Sequence, residues 1–381
     1  MNQRFSVELA SWADYNLKNC IGVDECMKAC PTVDPALTIG EINEASRGGH
    51  VSEAMFRFAA ACVQCARCDT VCPTATGRSL LMLKLKERMA AEGRAPAYHR
   101  KYFALKGHDK SAARQAAFNV WMKAKWRLDP RERLKSETLA RHIDAPTERC
   151  EFLLYFGCYI FTRTMSAAHT ADIARRLGLD YGVLGGLASC CGWPSLLAGR
   201  TGEADDYHAH LARLIEPARP AYVVTGCAEC YMALVRLREA HGMDFTPLTT
   251  PMWLEMFADR LNLLPTDEVV TYHDSCHISR KLAMPQPART LLNRLAPVVE
   301  MPRSGPLDTF CCGYWGLKGD PPVINRIHQS RFDEARATGA RRMVMECVSC
   351  LESFSESAAT PAIPVVDIVT LARERMGAEP S

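Results

Sequence analysis

Ten of the 18 cysteines in this 381-residue chain fall into two sets with the same internal order. Cys158, then Cys190-Cys191-Gly192, then Cys227-x2-Cys230 make the first set; Cys276, then Cys311-Cys312-Gly313, then Cys347-x2-Cys350 make the second. The offset between them is 118 residues at the first cysteine and 120 at the last. Near-equal spacing of five positions implies an internal duplication. The surroundings repeat as well. An apolar, β-prone run precedes each lone cysteine (Phe152–Phe156 and Val269–Tyr272), another precedes each CxxC (Tyr222–Thr225 and Arg342–Glu346), and a helix-like stretch follows each CxxC. Short apolar strands alternating with helices predict small parallel sheets, with the cysteines gathered at the carboxyl ends of the strands.

The seven cysteines before residue 75 have a different spacing. Cys62-x2-Cys65-x2-Cys68-x3-Cys72-Pro73 is the bacterial ferredoxin run for a cubane iron–sulfur cluster. A structural zinc site is the bland alternative, but zinc sites pair two short knuckles rather than stringing four cysteines together. Cys20, Cys26 and Cys30-Pro31 hold the first, third and fourth places of a second such run, with Val23 at its second place. In paired runs the fourth cysteine serves the other cluster. Cys30 then joins Cys62, Cys65 and Cys68 on a [4Fe–4S] cubane, which leaves Cys20, Cys26 and Cys72. Three thiolates suit a [3Fe–4S] cluster, the alternative being an incomplete [4Fe–4S] capped by Asp24 or water. This departure resembles the iron–sulfur subunit of succinate dehydrogenase and fumarate reductase.

The whole arrangement resembles the fused catalytic subunit of the heterodisulfide reductase family, in which a two-cluster ferredoxin module precedes a duplicated CCG domain. The resemblance covers residues 15–75 and 150–355. It implies a noncubane [4Fe–4S] cluster on Cys158, Cys190, Cys191, Cys227 and Cys230, and another on Cys276, Cys311, Cys312, Cys347 and Cys350. It further implies that these clusters bind the two sulfurs of a disulfide and split it with electrons delivered singly. The family usually carries two complete ferredoxin runs, so Val23 is a departure; a three-iron cluster would favour a quinone or thiol-linked circuit over low-potential ferredoxin. The expected fold class is α+β and multidomain. Residues 1–77 are read as an α-helical two-cluster ferredoxin domain, 78–147 as a basic helical connector, and 148–262 and 263–381 as two homologous α/β CCG domains with small parallel sheets. Gly192 and Gly313 are expected to give the cluster close backbone approach, and Trp193, Tyr314 and Trp315 either to exclude water from it or simply to pack.

Charge is uneven. Residues 78–141 carry 17 Lys and Arg against 6 Asp and Glu, an excess of 11 in a chain of net charge +3, so the remainder stands near −8. Two helices are predicted there, the first stopping near Gly93 and the second ending at Pro130. Trp121 and Trp126 among Lys123, Lys125 and Arg127 suit an acidic partner or an anionic membrane surface. The blander expectation, a solvated linker whose aromatics pack on the ferredoxin domain, takes precedence. Recognition motifs for nucleic acid, a GxGxxG turn and a Walker loop are lacking.

Three further groups are candidates. His273, Asp274 and His277 flank Cys276, and a histidine there could give a proton to a leaving thiolate, although bonding to a sulfur or the sheet end is the commoner role. Arg163 and Arg280 follow the lone cysteines and could bind a carboxylate or sulfonate tail of a disulfide. Cys150 is expected to be a buried thiol ahead of a strand. Neither an export signal nor an 18-residue apolar run is visible, so the expected location is cytoplasmic, with peripheral attachment to the inner membrane face as a further expectation. The leading function is a disulfide-reducing or thiol-oxidising enzyme subunit whose electron partner is a flavoprotein or a membrane cytochrome. The alternative is a relay without a substrate of its own, linking a flavin dehydrogenase to a quinone-reducing membrane partner. Zinc throughout is the third, structural reading.

Overall fold

The computed structural model describes residues 5–32, 36–94, 112–143, 148–158, 160–161, 164–314, 321–360 and 362–377. Six helices come first: α1 (Phe5–Asn19), α2 (Glu25–Lys28), α3 (Ile39–Ser46), α4 (Glu53–Ala61), α5 (Arg67–Thr70) and α6 (Arg78–Ala91). Helix α3 starts at a capping box: the Glu41 amide donates to the Thr38 hydroxyl, and the Thr38 amide donates to the Glu41 carboxylate. Ser52 caps α4 by accepting from the Met55 amide. Met27, Ile39, Ile42, Met55, Phe58, Met82, Leu85 and Met89 form a core of their own among these helices. Helix α6 has a second allegiance, since its Leu83 joins the core of the following repeats.

Two more helices follow, α7 (Ala112–Leu128) and α8 (Arg133–Thr138). Helix α6 ends before Gly93, which adopts φ +73°, and α7 ends before Pro130, as expected of both helices. Phe118, Met122 and Trp126 line the inner face of α7 and pack on the first repeat, where Trp126 meets Phe161 edge-on at 5.5 Å. The connector aromatics therefore do not rest on the ferredoxin helices as expected. Trp126 is fully buried on the first repeat, and Trp121 is exposed.

The first repeat consists of β1 (Phe152–Gly157), α9 (Ser166–Arg176), β2 (Tyr181–Gly185), α10 (Trp193–Leu197), α11 (Thr201–Ile215), β3 (Tyr222–Thr225), α12 (Ala228–His241), β4 (Thr246–Thr249) and α13 (Thr250–Glu255). The second consists of β5 (Val270–His273), a π-helical turn over Cys276–Lys281, α14 (Gln286–Leu295), α15 (Gly305–Asp308), α16 (Pro321–Ala337), β6 (Arg342–Met345), α17 (Val348–Ser355), β7 (Val365–Asp367) and α18 (Ile368–Arg375). Both sheets are parallel, in the orders β2-β1-β3-β4 and β5-β6-β7. Leu153 pairs with Val223 in one, and Thr271 with Met343 in the other. The place of β2 in the second sheet is held by a single parallel bridge between Val270 and Val298. All of β1 is buried, which explains its unbroken apolar run.

One core runs through both repeats. At their backs, the buried carboxylate of Asp172 on α9 pairs with Arg175 and Arg176 of its own helix and with Arg373 of α18. Burial would raise Asp172, but Arg175 and Arg373 outweigh it and hold the carboxyl below its ordinary value. Its stabilisation is thus present above about pH 4 and is lost as pH falls through the folded value. Asp172→Ala, which strands Arg373 against α9, should lower the unfolding free energy by roughly 2–3 kcal/mol after allowing for the partly exposed arginines. Urea titration at pH 7 at fixed cluster content measures this, and the difference from the unsubstituted chain should shrink below pH 4.

Candidate metal centres

Cys20, Cys26 and Cys72 line one cavity together with Val23, and Cys30, Cys62, Cys65 and Cys68 line another. The chain thus brings each fourth cysteine to the other run. Helix ends place these thiols: Cys20 directly follows α1, Cys26 lies on α2 and Cys68 on α5. Gln64 and Ala66, between Cys62 and Cys68, have φ of 58° and 59°, a left-handed zigzag that turns successive thiols inward. Val23 offers no donor to its cavity, and the Asp24 carboxylate accepts from the Ile39 amide at 2.6 Å. Burial would raise Cys72, but the Thr74 and Thr76 hydroxyls outweigh it and lower that thiol.

Two buried cations serve this half of the molecule, and neither stood out in the sequence. Arg78, 4% exposed, lines both cavities. Burial opposes its charge, yet the neighbouring Cys68, Cys30 and Cys62 raise its pKa further. Lys86 donates to the Cys62 carbonyl at 2.6 Å and the Leu197 carbonyl at 2.9 Å, tying the ferredoxin loop to the first repeat. Gly199 lies directly over the backbone of Lys86, where a Cβ would meet its carbonyl.

Ten of the eleven remaining cysteines gather at the carboxyl ends of the strands: Cys158 directly follows β1, Cys227 and Cys347 each lie two residues beyond β3 and β6, and Cys276 opens the π-helical turn three residues beyond β5. π-turns recur where a helix must re-aim side chains at a site. Cys158, Cys190, Cys191, Cys227 and Cys230 line one cavity. In the second set, the Cys276 and Cys311 sulfurs are 3.7 Å apart, and Cys312 contacts both Cys311 and Cys350. All ten are buried. Gly192 has φ +75° and Gly313 φ +72°. At Gly192 a Cβ would lie 2.6 Å from the Tyr207 Cβ, so the left-handed turn packed against α11 by itself requires a glycine there.

The thiols are joined across the module boundaries. Cys65 of the ferredoxin loop hydrogen-bonds Cys311, which lowers Cys65 to about 6. Within the second set, contacts run from Cys311 through Cys312 and Cys350 to Cys347. Cys347 meets Cys227 of the first set, and contacts continue through Cys230 and Cys191 to Cys190. The junction is polar. The Glu229 carboxylate accepts from the Cys227 thiol at 2.9 Å and the Ser349 hydroxyl at 3.1 Å, and lies 3.8 Å from the Cys347 sulfur.

The aromatic residues after the CCG triplets reach across the duplication. Trp193 packs edge-on to His277 of the second repeat at 5.7 Å, and Tyr314 lines the cavity of the first repeat while donating to Glu352. Trp315 lies outside the described residues. His208 and His328, 120 positions apart, each bond the carbonyl of the second cysteine in their CCG triplet, Cys191 and Cys312. That offset matches the CxxC repeat, so lining up the two halves would have disclosed the pair.

The three residues flanking Cys276 have separate roles. Burial lowers His273 to about 3, and its ring accepts from Arg331; Asp274 makes a two-pronged pair with Arg289. Both hold the fold. His277 instead touches all three parts of the molecule: Nε2 lies 3.2 Å from the Gln64 carbonyl, Nδ1 lies 3.5 Å from Glu229, and Trp193 covers the ring. Burial alone would lower His277, but Cys276 and Glu229 outweigh it and raise it to about 9. The expectation that Arg280 binds a substrate tail is not met, because its guanidinium donates to the carbonyls of Cys65, Pro306, Leu307 and Thr309. Arg163 lies outside the described residues. Cys150 is a buried thiol ahead of β1, against Gly182, and burial raises it to about 11.

The family model for the CCG cysteine-rich domain matches residues 152–235 and 270–355, the two segments that carry the five-cysteine sets. The chain is similar to a subunit of the dihydromethanophenazine:CoB–CoM heterodisulfide reductase of Methanosarcina barkeri, 26% identical over 246 residues, or 60% of each chain. Against the subunit of the same name from Methanosarcina mazei it is 25% identical over 339 residues, 84% of this chain and 78% of that one. It is also 23% identical to a subunit of the fumarate reductase (CoM/CoB) of Methanothermobacter marburgensis, over 90% of this chain and 68% of that one.

Proposed function

We propose that this chain is an iron–sulfur oxidoreductase subunit that reduces a disulfide, or oxidises thiols, at the junction of its two CCG domains. The observation that carries this reading is the succession of neighbouring thiols from Cys65 across both five-cysteine sets, beside a cavity to which both repeats contribute. The donor chemistry fits clusters: thiols in threes, fours and fives converge on small, mostly apolar cavities. Cys30, Cys62, Cys65 and Cys68 would hold a cubane [4Fe–4S], and Cys20, Cys26 and Cys72 a [3Fe–4S], since neither Val23 nor the engaged Asp24 supplies a fourth donor. Each five-cysteine set would hold a noncubane [4Fe–4S]. Such clusters supply single electrons and, at the noncubane sites, iron to which a sulfur can bind.

The side chains of this protein do the rest. Trp193 and Tyr314 keep water from the shared cavity. Glu229, Ser349 and His277 place polar groups beside Cys227 and Cys347, where substrate sulfur would arrive. Electrons would come from a flavoprotein or a membrane cytochrome, with the chain on the cytoplasmic side. Anaerobic iron and sulfide analysis with EPR tests the reading. It should find about 15 irons per chain, and an added thiol or disulfide should change the EPR signal of the noncubane sites. A count near eight, or zinc without iron, sinks the assignment. A spectrum indifferent to disulfides while a flavoprotein still reduces the clusters would make the chain a relay.

A further inference from the structure

Helix α7 is apolar on both sides. Phe118, Met122 and Trp126, four residues apart, bind its inner face to the first repeat. On the outer side, Ala117, Trp121, Ala124 and Leu128 follow at intervals of four, three and four, which sets them in one line along the helix. Val120 lies beside them. Val120 is 69% exposed, Trp121 57% and Leu128 80%. Steps of about 100° per residue put Lys123 and Arg127 along one edge of this line and Lys125 along the other. All three are exposed, Lys125 in an ion pair with Glu132 at 3.4 Å, and the exposed Arg131 and Arg133, paired with Asp129 and Glu137, follow just past the helix end. The surrounding segment is also where the positive charge of the chain is concentrated.

We propose that the outer face of α7 docks on an anionic membrane surface, with the apolar line below the headgroups and the flanking cations against them. The charge pattern chooses this occupant over an acidic protein. The apolar residues form a straight line about 16 Å long, bordered by cations on both edges. That matches a plane that is anionic at its surface and apolar beneath it. The inner face stays anchored in the core, so docking needs no rearrangement. No helix among the described residues is long and apolar enough to cross a membrane. The proposal stands apart from the cysteine assignments.

Flotation of the full chain, assembled anaerobically, with vesicles of phosphatidylcholine alone or with added phosphatidylglycerol tests it. The chain should float only with the anionic vesicles and release as salt is raised. Trp121→Ser with Leu128→Ser, and separately Lys123→Gln with Arg127→Gln, should each lower partitioning by about tenfold or more. These four side chains are exposed, so far-UV circular dichroism should not change. Failure to float with anionic vesicles overturns the proposal, as does flotation of both double variants at the unsubstituted level. Binding to polyglutamate without binding to vesicles overturns it in favour of an acidic protein surface.

Discussion

Replacing both Cys311 and Cys312 with alanine should leave the first five-cysteine site cut off from the ferredoxin module, while replacing Cys190 and Cys191 should leave the second site in communication with it. The two sites are alike in sequence and unlike in position. Cys311 is the thiol of the CCG sets that Cys65 meets. Val63 packs with Cys276 and Cys311, His277 lies on the Gln64 carbonyl, and Arg280 clamps the Cys65 carbonyl. The first repeat meets the same loop through the Lys86 ammonium, and its thiols are joined to the second set through Cys227 and Cys347.

Each double variant should lose about four irons. They should diverge in rapid-mixing EPR with a reduced protein donor too large to enter the cavity. In the Cys311/Cys312 variant the surviving first-site signal should appear far more slowly than in the unsubstituted chain. In the Cys190/Cys191 variant the surviving second-site signal should keep its normal rate. Equal rates at the surviving sites would mean that the contact at Cys65 has no bearing on electron delivery.

Much of this arrangement was legible from cysteine spacing. A thiol cannot reach its partners unless the backbone delivers it, so the order of cysteines constrained the order of strands, turns and helices around them. Strands β1, β3, β5 and β6 stand next to cysteines and were found by their apolar runs. Strands β2, β4 and β7 were not: β2 reads Tyr-Gly-Val-Leu-Gly, β4 carries a proline, and β7 has three residues. Each is held by its neighbours rather than by its own propensity. The role of Arg280 does not follow from its spacing because it depends on packing partners distant in sequence, the carbonyls of Cys65 and Thr309. Glu229 was missed although the duplication marks it. It stands inside the first CxxC where Ser349 stands in the second, so one repeat supplies a carboxylate and the other a hydroxyl to the same junction.

Arg78→Met should be the most damaging single change outside the cysteines. The guanidinium is enclosed between the two ferredoxin cavities, beside Cys26, Cys30, Cys62 and Cys68, with one nitrogen on the Met27 sulfur and the Phe58 ring 5.3 Å from its centre. Thiolates and the clusters they would hold are anionic, and a cation enclosed between them opposes that charge with little screening by water. Removing one partner from such a buried set costs about 3–5 kcal/mol. The loss should appear as a lower denaturation midpoint of the loaded chain and as incomplete iron in the ferredoxin half. Whatever clusters remain should become harder to reduce, because added electrons are no longer met by positive charge. An EPR-monitored redox titration should therefore show both ferredoxin-type signals displaced to more negative potential in the same direction. Arg78→Lys keeps the charge but loses the planar fork, so it should recover part of the potential and less of the stability. Two signals at unchanged potentials in Arg78→Met would show that the guanidinium serves packing alone.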